Sequence, residues 1–196
     1  MEELQLTLTP ARVDQRNFGM QLSNWRVGQQ LTALVVESRP NGALLLSVVV
    51  FAESWNGTFK KGTFEILTYA HDVAKKMDTK CVAITIGEIS DDVKVLANYG
   101  ADKVVSITNQ FDACDNKGLS SALAEIADSE GANLVILSNT NTGKTIGPRV
   151  AVKMDASFIS NTVDVPSESS PLLVKKKSFS GKAFEMAQSH ADKTVI

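Results

Sequence analysis

The chain has 196 residues, of which 43% are hydrophobic and 21% are charged. This composition suits one folded domain, or one domain with an extension, and disfavours disorder of the whole chain. The formal net charge is -2, so there is no basic excess that could neutralise a nucleic-acid backbone. The basic run at residues 175–177 is typical of a solvated strand or turn, and we expect no nucleic-acid partner.

Cysteine usage and the amino terminus predict a cytoplasmic protein. Cys81 lies in an apolar run, as a small core residue would, and neither it nor Cys114 belongs to a CxxC pattern. The first residues are acidic where a signal peptide would be basic. The longest apolar run, residues 43–52, is far shorter than the roughly 20 residues that span a bilayer, so we expect no membrane insertion.

Residues 1–46 read as a short β-rich extension. Leu4, Leu6 and Leu8 alternate with polar residues, and residues 30–37 form a second apolar run. Asn41-Gly42 is a strong hairpin signal, which predicts a return strand over residues 43–47.

From Val48 onwards the pattern changes to alternating strands and helices. Nearly continuous apolar runs predict buried parallel strands, and apolar residues at spacings of three and four predict helices between them. Thr63 is the expected cap of the first helix, glycines end the second and third helices, and Pro148 is expected in the first turn of the fourth. The predicted strands are 48–52, 80–86, 103–107 and 133–137, and the predicted helices are 63–77, 90–99, 119–127 and 146–154.

The remainder of the chain is rich in strands. Residues 157–165, 172–177 and 183–188 are predicted strands, with a Ser/Pro loop over 166–171. Four strand–helix units in a row predict an α/β fold: an open, mainly parallel sheet with helices on both faces. The late strands, which lack intervening helices, suggest an antiparallel addition at one edge of that sheet.

The loop from Asn139 to Arg149 is the best candidate site. It follows an apolar strand and opens a helix, where open α/β sheets bind ligands and where helix amino termini favour anions. One interpretation is an anion or nucleotide site; the other is a structural turn in which Thr140 or Thr142 caps the helix and Arg149 pairs with an acid. The spacing is not that of a Walker loop. The candidate residues are Thr140, Thr142, Gly143, Lys144 and Arg149.

No catalytic or metal constellation is evident in the sequence. His71 and His190 are far apart and are expected at the surface, while Trp55 is expected to pack. No His, Cys or carboxylate spacing suggests a metal site. We therefore expect a protein without catalytic machinery of its own.

Several motifs, in order and at matching spacings, resemble the amino-terminal domain of the α subunit of electron transfer flavoproteins. The resemblance covers about residues 47–196, with Leu46 at the position of that family's initiating methionine, so residues 1–46 lie outside the family pattern. The matching segments are SVVVFAE at 47–53, GTFKKGTFEILTYA at 57–70, YGADKV at 99–104, NTNTGK at 139–144, GPRVA at 147–151, KMD at 153–155, SN at 160–161 and SGKA at 180–183.

The resemblance implies an electron carrier subunit rather than an enzyme. In the family, a β subunit is the partner, and the complex carries electrons from dehydrogenases, such as those of fatty acid β-oxidation, toward the respiratory chain. FAD is bound mainly by a carboxy-terminal domain that would follow this one. Because residues 194–196 match the last strand of the first domain, no FAD-contacting residue carries over, and the domain is expected to be scaffold and β-subunit contact.

Two alternatives remain open from the residues. The fold could instead be a nucleotide-binding module of the adenine-nucleotide α-hydrolase type, which would hold AMP or ATP at the 139–149 loop. Residues 1–46 could be an interaction module or an unrelated fusion.

Overall fold

The computed structural model of the chain describes residues 30–34, 47–108 and 115–196. The predicted strand over Leu4–Leu8, the Asn41-Gly42 hairpin, most of its return strand and Cys114 lie outside the described residues. Within them, the predicted α/β class is confirmed: six parallel strands form the body of one sheet, and helices cover both faces.

The strands of the main sheet are β1 Gln30–Leu34, β2 Ser47–Phe51, β5 Lys80–Ile86, β6 Lys103–Thr108, β7 Ala132–Ile136, β8 Ser157–Phe158 and β12 Thr194–Val195. Their spatial order is β1, β6, β5, β2, β7, β12, β8. Every neighbouring pair from β6 to β8 is parallel, and among these described strands only β1 runs antiparallel, along β6.

Two smaller sheets and three α-helices complete the described fold. The small strands are β3 Ser54–Trp55, β4 Thr58–Phe59, β9 Glu168–Ser169, β10 Leu172–Ser178 and β11 Ala183–Ser189. The helices are α1 Lys61–Lys76, α2 Asn116–Ser129 and α3 Asn141–Lys153, with a 3-10 helix at Val93–Tyr99.

Side-chain alternation along the central strands builds a core on each face of the sheet. Val48 and Val50 of β2 point toward α1 and the 3-10 helix, whereas Val49 and Phe51 point toward α2 and α3. These four residues are at most 5% exposed. Because both faces are covered, the strands are apolar at nearly every position, as parallel strands require.

The second predicted helix is wrong in type. Residues Val93–Tyr99 form a 3-10 helix of seven residues, in which only Leu96 is buried. Its predicted carboxyl end is correct, since Gly100 ends the helix at a φ of 100°. It begins at Val93 rather than at residue 90, and Asp92 Oδ1 accepts a hydrogen bond from Lys94 N at 3.0 Å. A segment with so little apolar surface gains little from further helical turns, because packing supplies most helix stability.

All three α-helices begin earlier than predicted, and α2 begins at Asn116 rather than at residue 119. α1 begins at Lys61, so Thr63 lies within its first turn, and its buried hydroxyl donates to the Glu53 carbonyl at 2.5 Å instead of capping the helix. α3 begins at Asn141, five residues before the predicted start, so Pro148 lies mid-helix. Pro148 is on the exposed side, where solvent can replace the backbone donor that proline lacks.

The predicted antiparallel addition at one edge of the main sheet is wrong for all three late strands, and of residues 157–165 only Ser157–Phe158 is a strand. β8 joins the main sheet in parallel, and β12, the last strand in the chain, inserts between β7 and β8. β10 and β11 form an antiparallel hairpin with β9, and this three-stranded sheet is separate from the main one.

Candidate functional site

A cleft of about 580 Å³ lies at the carboxyl edge of the main sheet. From β2 the chain adds β5 and then β6 on one side of the sheet. The later strands β7, β12 and β8 lie on the other side of β2, so the direction in which strands are added reverses between β2 and β7. Residues of α1 line one side of the cleft, and the β7–α3 loop lines the other. Open α/β sheets bind ligands in the crevice at such a reversal.

Thr140 organises the β7–α3 loop. As the N-cap of α3, its Oγ1 accepts a hydrogen bond from Gly143 N at 3.1 Å. The same hydroxyl donates to Glu53 Oε2 at 2.7 Å, so its hydrogen is directed at a carboxylate of the chain itself. Glu53 lies two residues after the end of β2, and this contact therefore joins the two strand ends on either side of the reversal.

Gly143 allows the loop to close tightly. A Cβ at this position would lie 1.9 Å from the Ser138 carbonyl oxygen, so any other residue would force the loop away from the helix. Gly147, one turn later, faces the Phe158 ring, which a Cβ would approach to 2.8 Å. Both glycines of this segment thus have packing reasons that are independent of a ligand.

The structure brings together only part of the predicted loop site. Thr140, Gly143 and Lys144 line the cleft, whereas Thr142 and Arg149 do not. The alternative interpretation, a structural turn, predicted that Thr140 or Thr142 caps the helix, and the cap by Thr140 is confirmed. The expected partner of Arg149 is not seen, since the ion pairs between described residues do not include it. The anion or nucleotide interpretation of these residues remains a prediction.

The far wall of the cleft is the segment 159–163, which α1 holds in place. Tyr69 donates from its hydroxyl to the Asp164 carbonyl at 2.8 Å, and Lys76 Nζ donates to the Pro166 carbonyl at 2.6 Å. Burial raises the pKa of Tyr69 to about 12; a hydrogen bond with Thr162 opposes this rise and the charge of Asp164 adds to it. The two tethers lie about two turns apart on α1 and hold the wall against that helix.

Sequence reasoning missed Glu53, Tyr69 and Lys177. The sequence could have indicated Glu53 as a site residue, because it is the first charged residue after a buried parallel strand. Such positions lie at the edge of the sheet where ligands bind. Tyr69 and Lys177 reach the cleft from α1 and from the end of β10, and no local pattern marks them.

The remaining residues singled out from the sequence have structural surroundings. Cys81 is fully buried in the core, as predicted, and burial, with the nearby charge of Asp102, raises its pKa to about 12. His71 is half-buried, and its Nδ1 lies 3.1 Å from the Gly100 carbonyl oxygen. Trp55 was expected to pack but is 59% exposed, with Lys60 Nζ lying 4.9 Å from its ring centroid.

A second surface with distinctive chemistry lies on the β10–β11 hairpin. Lys175 is paired with Met186 and Lys177 with Phe184 across the two strands. Their neighbours Val174 and Ala187 contact the core, so the paired residues point outward. Phe179 lies at the turn and is 80% exposed, while Phe184 and Met186 are more than half exposed. We call Lys175, Phe179, Phe184 and Met186 the hairpin face, whereas Lys177 lines the cleft.

The described residues offer no recognisable metal or dinucleotide site. No group of three His, Cys, Asp or Glu residues in this part of the chain could hold a metal ion. A dinucleotide cradle would need a free, glycine-rich turn at a helix amino terminus, and at α3 that position already receives the Glu53 carboxylate. No described helix has the length and apolarity needed to cross a membrane.

The fold and the cleft define an open, mainly parallel α/β domain with a ligand-type crevice at its strand reversal. A family model described as an electron transfer flavoprotein domain matches residues 48–196. The chain therefore belongs to the electron transfer flavoprotein family, as its motifs predict.

Curated relatives carry names consistent with that family. The chain is 28% identical over 137 residues to Protein FixB of Clostridium saccharobutylicum, covering 68% of this chain and 41% of the relative. It is 27% identical over 140 residues to the electron transfer flavoprotein subunit alpha of Bacillus subtilis, covering 70% and 42%. A third relative, at 28% over 114 residues, is the acryloyl-CoA reductase electron transfer subunit beta of Anaerotignum propionicum, covering 54% and 29%.

The chain thus spans about two fifths of the length of the first two relatives. Among solved structures, a universal stress protein from Archaeoglobus fulgidus aligns at 10% identity with a TM-score of 0.37, covering 53% of this chain and 87% of that one. A score of this size carries no argument about ligand or function.

Proposed function

We propose that this chain is the amino-terminal part of an electron transfer flavoprotein α subunit. In that role it contributes to carrying electrons from dehydrogenases, such as those acting on acyl-CoA, toward the respiratory chain of a cytoplasmic β-oxidation system. The observation that supports this proposal most strongly is the family match across residues 48–196. The relative whose name contains acryloyl-CoA reductase supports a link to acyl-CoA chemistry.

Within the assembled protein, we assign this domain the roles of scaffold and β-subunit contact. FAD would be held mainly by a carboxy-terminal domain and would supply the redox chemistry, while protein domains supply position and electrostatics. The position of the Glu53 carboxylate at the α3 amino terminus supports this division, because a negative charge there disfavours a phosphate group.

The hairpin face is the surface we assign to the β subunit. Large aromatic and Met side chains are enriched in protein interfaces, and contiguous exposed apolar surface on a soluble domain marks a contact site. Lys175 Nζ lies 4.5 Å from the Phe184 ring centroid, so cationic and aromatic groups alternate on this face. A partner presenting carboxylates around an apolar patch would complement it.

The turn that displays Phe179 supports the same assignment. Phe179 and Ser180 both have positive φ angles, of 51° and 54°, although neither is glycine. Each such residue costs on the order of 1 kcal/mol, because Cβ crowds the following carbonyl. A strained turn that exposes a phenylalanine is more readily explained by a contact at that position than by the stability of the free domain.

The test is assembly with a β subunit. The chain is co-expressed with the electron transfer flavoprotein β subunit of the same source, and the complex is measured by size-exclusion chromatography with light scattering. We expect a one-to-one complex, whereas the chain alone should self-associate through its hairpin face. A chain that stays monomeric and never co-elutes with the β subunit would overturn the proposal.

A nucleotide-binding module is the second candidate, favoured by the position of the cleft at the strand reversal. The two functions differ in one simple measurement. AMP or ATP would raise the melting temperature of a nucleotide-binding module by mass action, but not that of a scaffold.

A further inference from the structure

The cleft at the strand reversal has the size and the lining of a small-molecule site. Its volume of about 580 Å³ falls within the range of roughly 300–1,000 Å³ that is usual for ligand pockets. Its floor is apolar: Ile136 and Ile196, at the ends of β7 and β12, are 2% and 5% exposed. Ile66 and Phe158 add apolar side walls.

The rim of the cleft is polar and carries unpaired amide and hydroxyl groups. Asn139 Nδ2 donates to Asn161 Oδ1 at 3.2 Å across the opening. This hydrogen bond leaves Asn139 Oδ1 available as an acceptor and Asn161 Nδ2 available as a donor. Ser138 and Ser160 also line the cleft. An apolar floor beneath a polar rim favours a ligand with a ring or short hydrocarbon body and one polar end.

The charges on the lining favour an anionic end. Lys144 and Lys177 line the cleft together with a single carboxylate, that of Glu65, so two positive charges against one negative leave an excess of one positive charge. The ion pairs between described residues include neither lysine. Glu53 does not belong to the lining, because its carboxylate is turned toward Thr140.

The same carboxylate limits the kind of anion. Glu53 lies at the α3 amino terminus, where a di- or triphosphate would otherwise be held, and like charges at close range repel. A single anionic group on the rim avoids this repulsion.

We propose that the cleft binds a small organic molecule with one anionic group, with an apolar body on Ile136 and Ile196 and its carboxylate or phosphate ester near Lys144 and Lys177. This activity goes beyond the proposed electron-transfer role and does not depend on it. It assigns Lys144 a binding function and leaves Arg149, on the outside of α3, without one.

The experiment is an amide-resolved NMR titration of the ¹⁵N-labelled chain. The probes are benzoate and phenyl phosphate, which distinguish a carboxylate from a phosphate ester, with benzylamine as the cationic analogue. We expect saturable shifts at residues 136–144 and 158–163 with one or both anions, and binding of benzylamine weaker by about tenfold.

Charge-neutralising variants supply the control. Lys144→Gln and Lys177→Gln should each weaken anion binding by about threefold or more, as expected for a partly solvated charge pair. Lys153→Gln, on the same helix but away from the cleft, should leave it unchanged. Equal binding of anion and cation, shifts confined to the hairpin face, or no saturable shift at the cleft would each overturn the inference. None of these outcomes bears on assembly with the β subunit.

Discussion

Thr140 donates its hydroxyl hydrogen to Glu53 Oε2 at 2.7 Å, although the two residues are separated by 87 positions in sequence. The contact joins the loop after β2 to the loop after β7 at the point where the strand order reverses. It also places a carboxylate of the chain where a phosphate would be bound in a nucleotide-binding relative of this fold class. This pair of side chains therefore connects the two loops at the sheet edge and also disfavours a phosphate ligand there.

Replacing Thr140 with Val should destabilise the domain by about 1–2 kcal/mol, because the α3 cap and the Glu53 hydrogen bond are both lost. Urea unfolding monitored by circular dichroism measures this. Thr140→Ser keeps both hydrogen bonds and should remain close to the parent. Thr145→Val removes an exposed hydroxyl from the same helix and should cost no more than about 0.5 kcal/mol. If the Thr140→Val and Thr145→Val changes lowered the free energy of unfolding equally, the cap and the Glu53 hydrogen bond would stabilise the domain no more than an exposed hydroxyl does.

The raised pKa of Cys81 should make the domain less stable at alkaline pH. The native thiol keeps its proton up to about 12, whereas the ordinary value is 9.0, so unfolding releases a proton between these pH values. The stability that this group contributes is complete below about 9 and is lost as pH rises toward 12.

The comparison is made in a Cys114→Ser background, so that Cys81 is the only cysteine. Unfolding free energies of this variant and of its Cys81→Ala derivative are measured from pH 8 upward. The derivative should be less stable at every pH because of its cavity, but its stability should fall less steeply with pH. Parallel curves would contradict the assigned burial of the thiol.

Much of this fold follows from local pattern. Buried parallel strands such as Lys80–Ile86 are short, nearly continuous apolar runs because both faces of the sheet are covered. Their length and their content of β-branched residues distinguish them from helices. The sequence predicts the start of α3 five residues too late, because its first turn, Asn141 to Lys144, is polar and has low helix propensity. The true start depends on the Thr140 cap. Neither the insertion of β12 between β7 and β8 nor the Glu53–Thr140 contact has a local signal, since both depend on non-local pairing.

Removing residues 1–46 should leave a cooperatively folding domain. The described part of that segment, β1, pairs with the outer side of β6, so its loss exposes a sheet edge, while the described residues of the two cores lie between Val48 and Ile196. The shortened chain should therefore unfold in a single thermal transition while associating more readily. A chain beginning at residue 30 keeps β1 and is the control. If it unfolds cooperatively but the chain beginning at residue 47 does not, the segment is integral to the domain.

The purified chain should be colourless. The Glu53 carboxylate lies at the α3 amino terminus, a tethered wall limits the cleft, and the described residues form no dinucleotide cradle. Visible absorbance after desalting, compared with added FAD at a known concentration, checks this. Stoichiometric flavin that survives desalting would place an FAD site within these 196 residues.

The central claim is that this domain contacts a β subunit through the hairpin face, and affinity for that subunit tests it most directly. Isothermal titration compares the parent chain with a Phe184→Ser/Met186→Ser variant and with Val152→Ser, which removes an 82% exposed apolar residue elsewhere. We predict binding weaker by about tenfold or more for the double variant, since buried aromatic anchors dominate interface energy, and no change for the control. Equal affinity of all three chains for the β subunit would contradict the account.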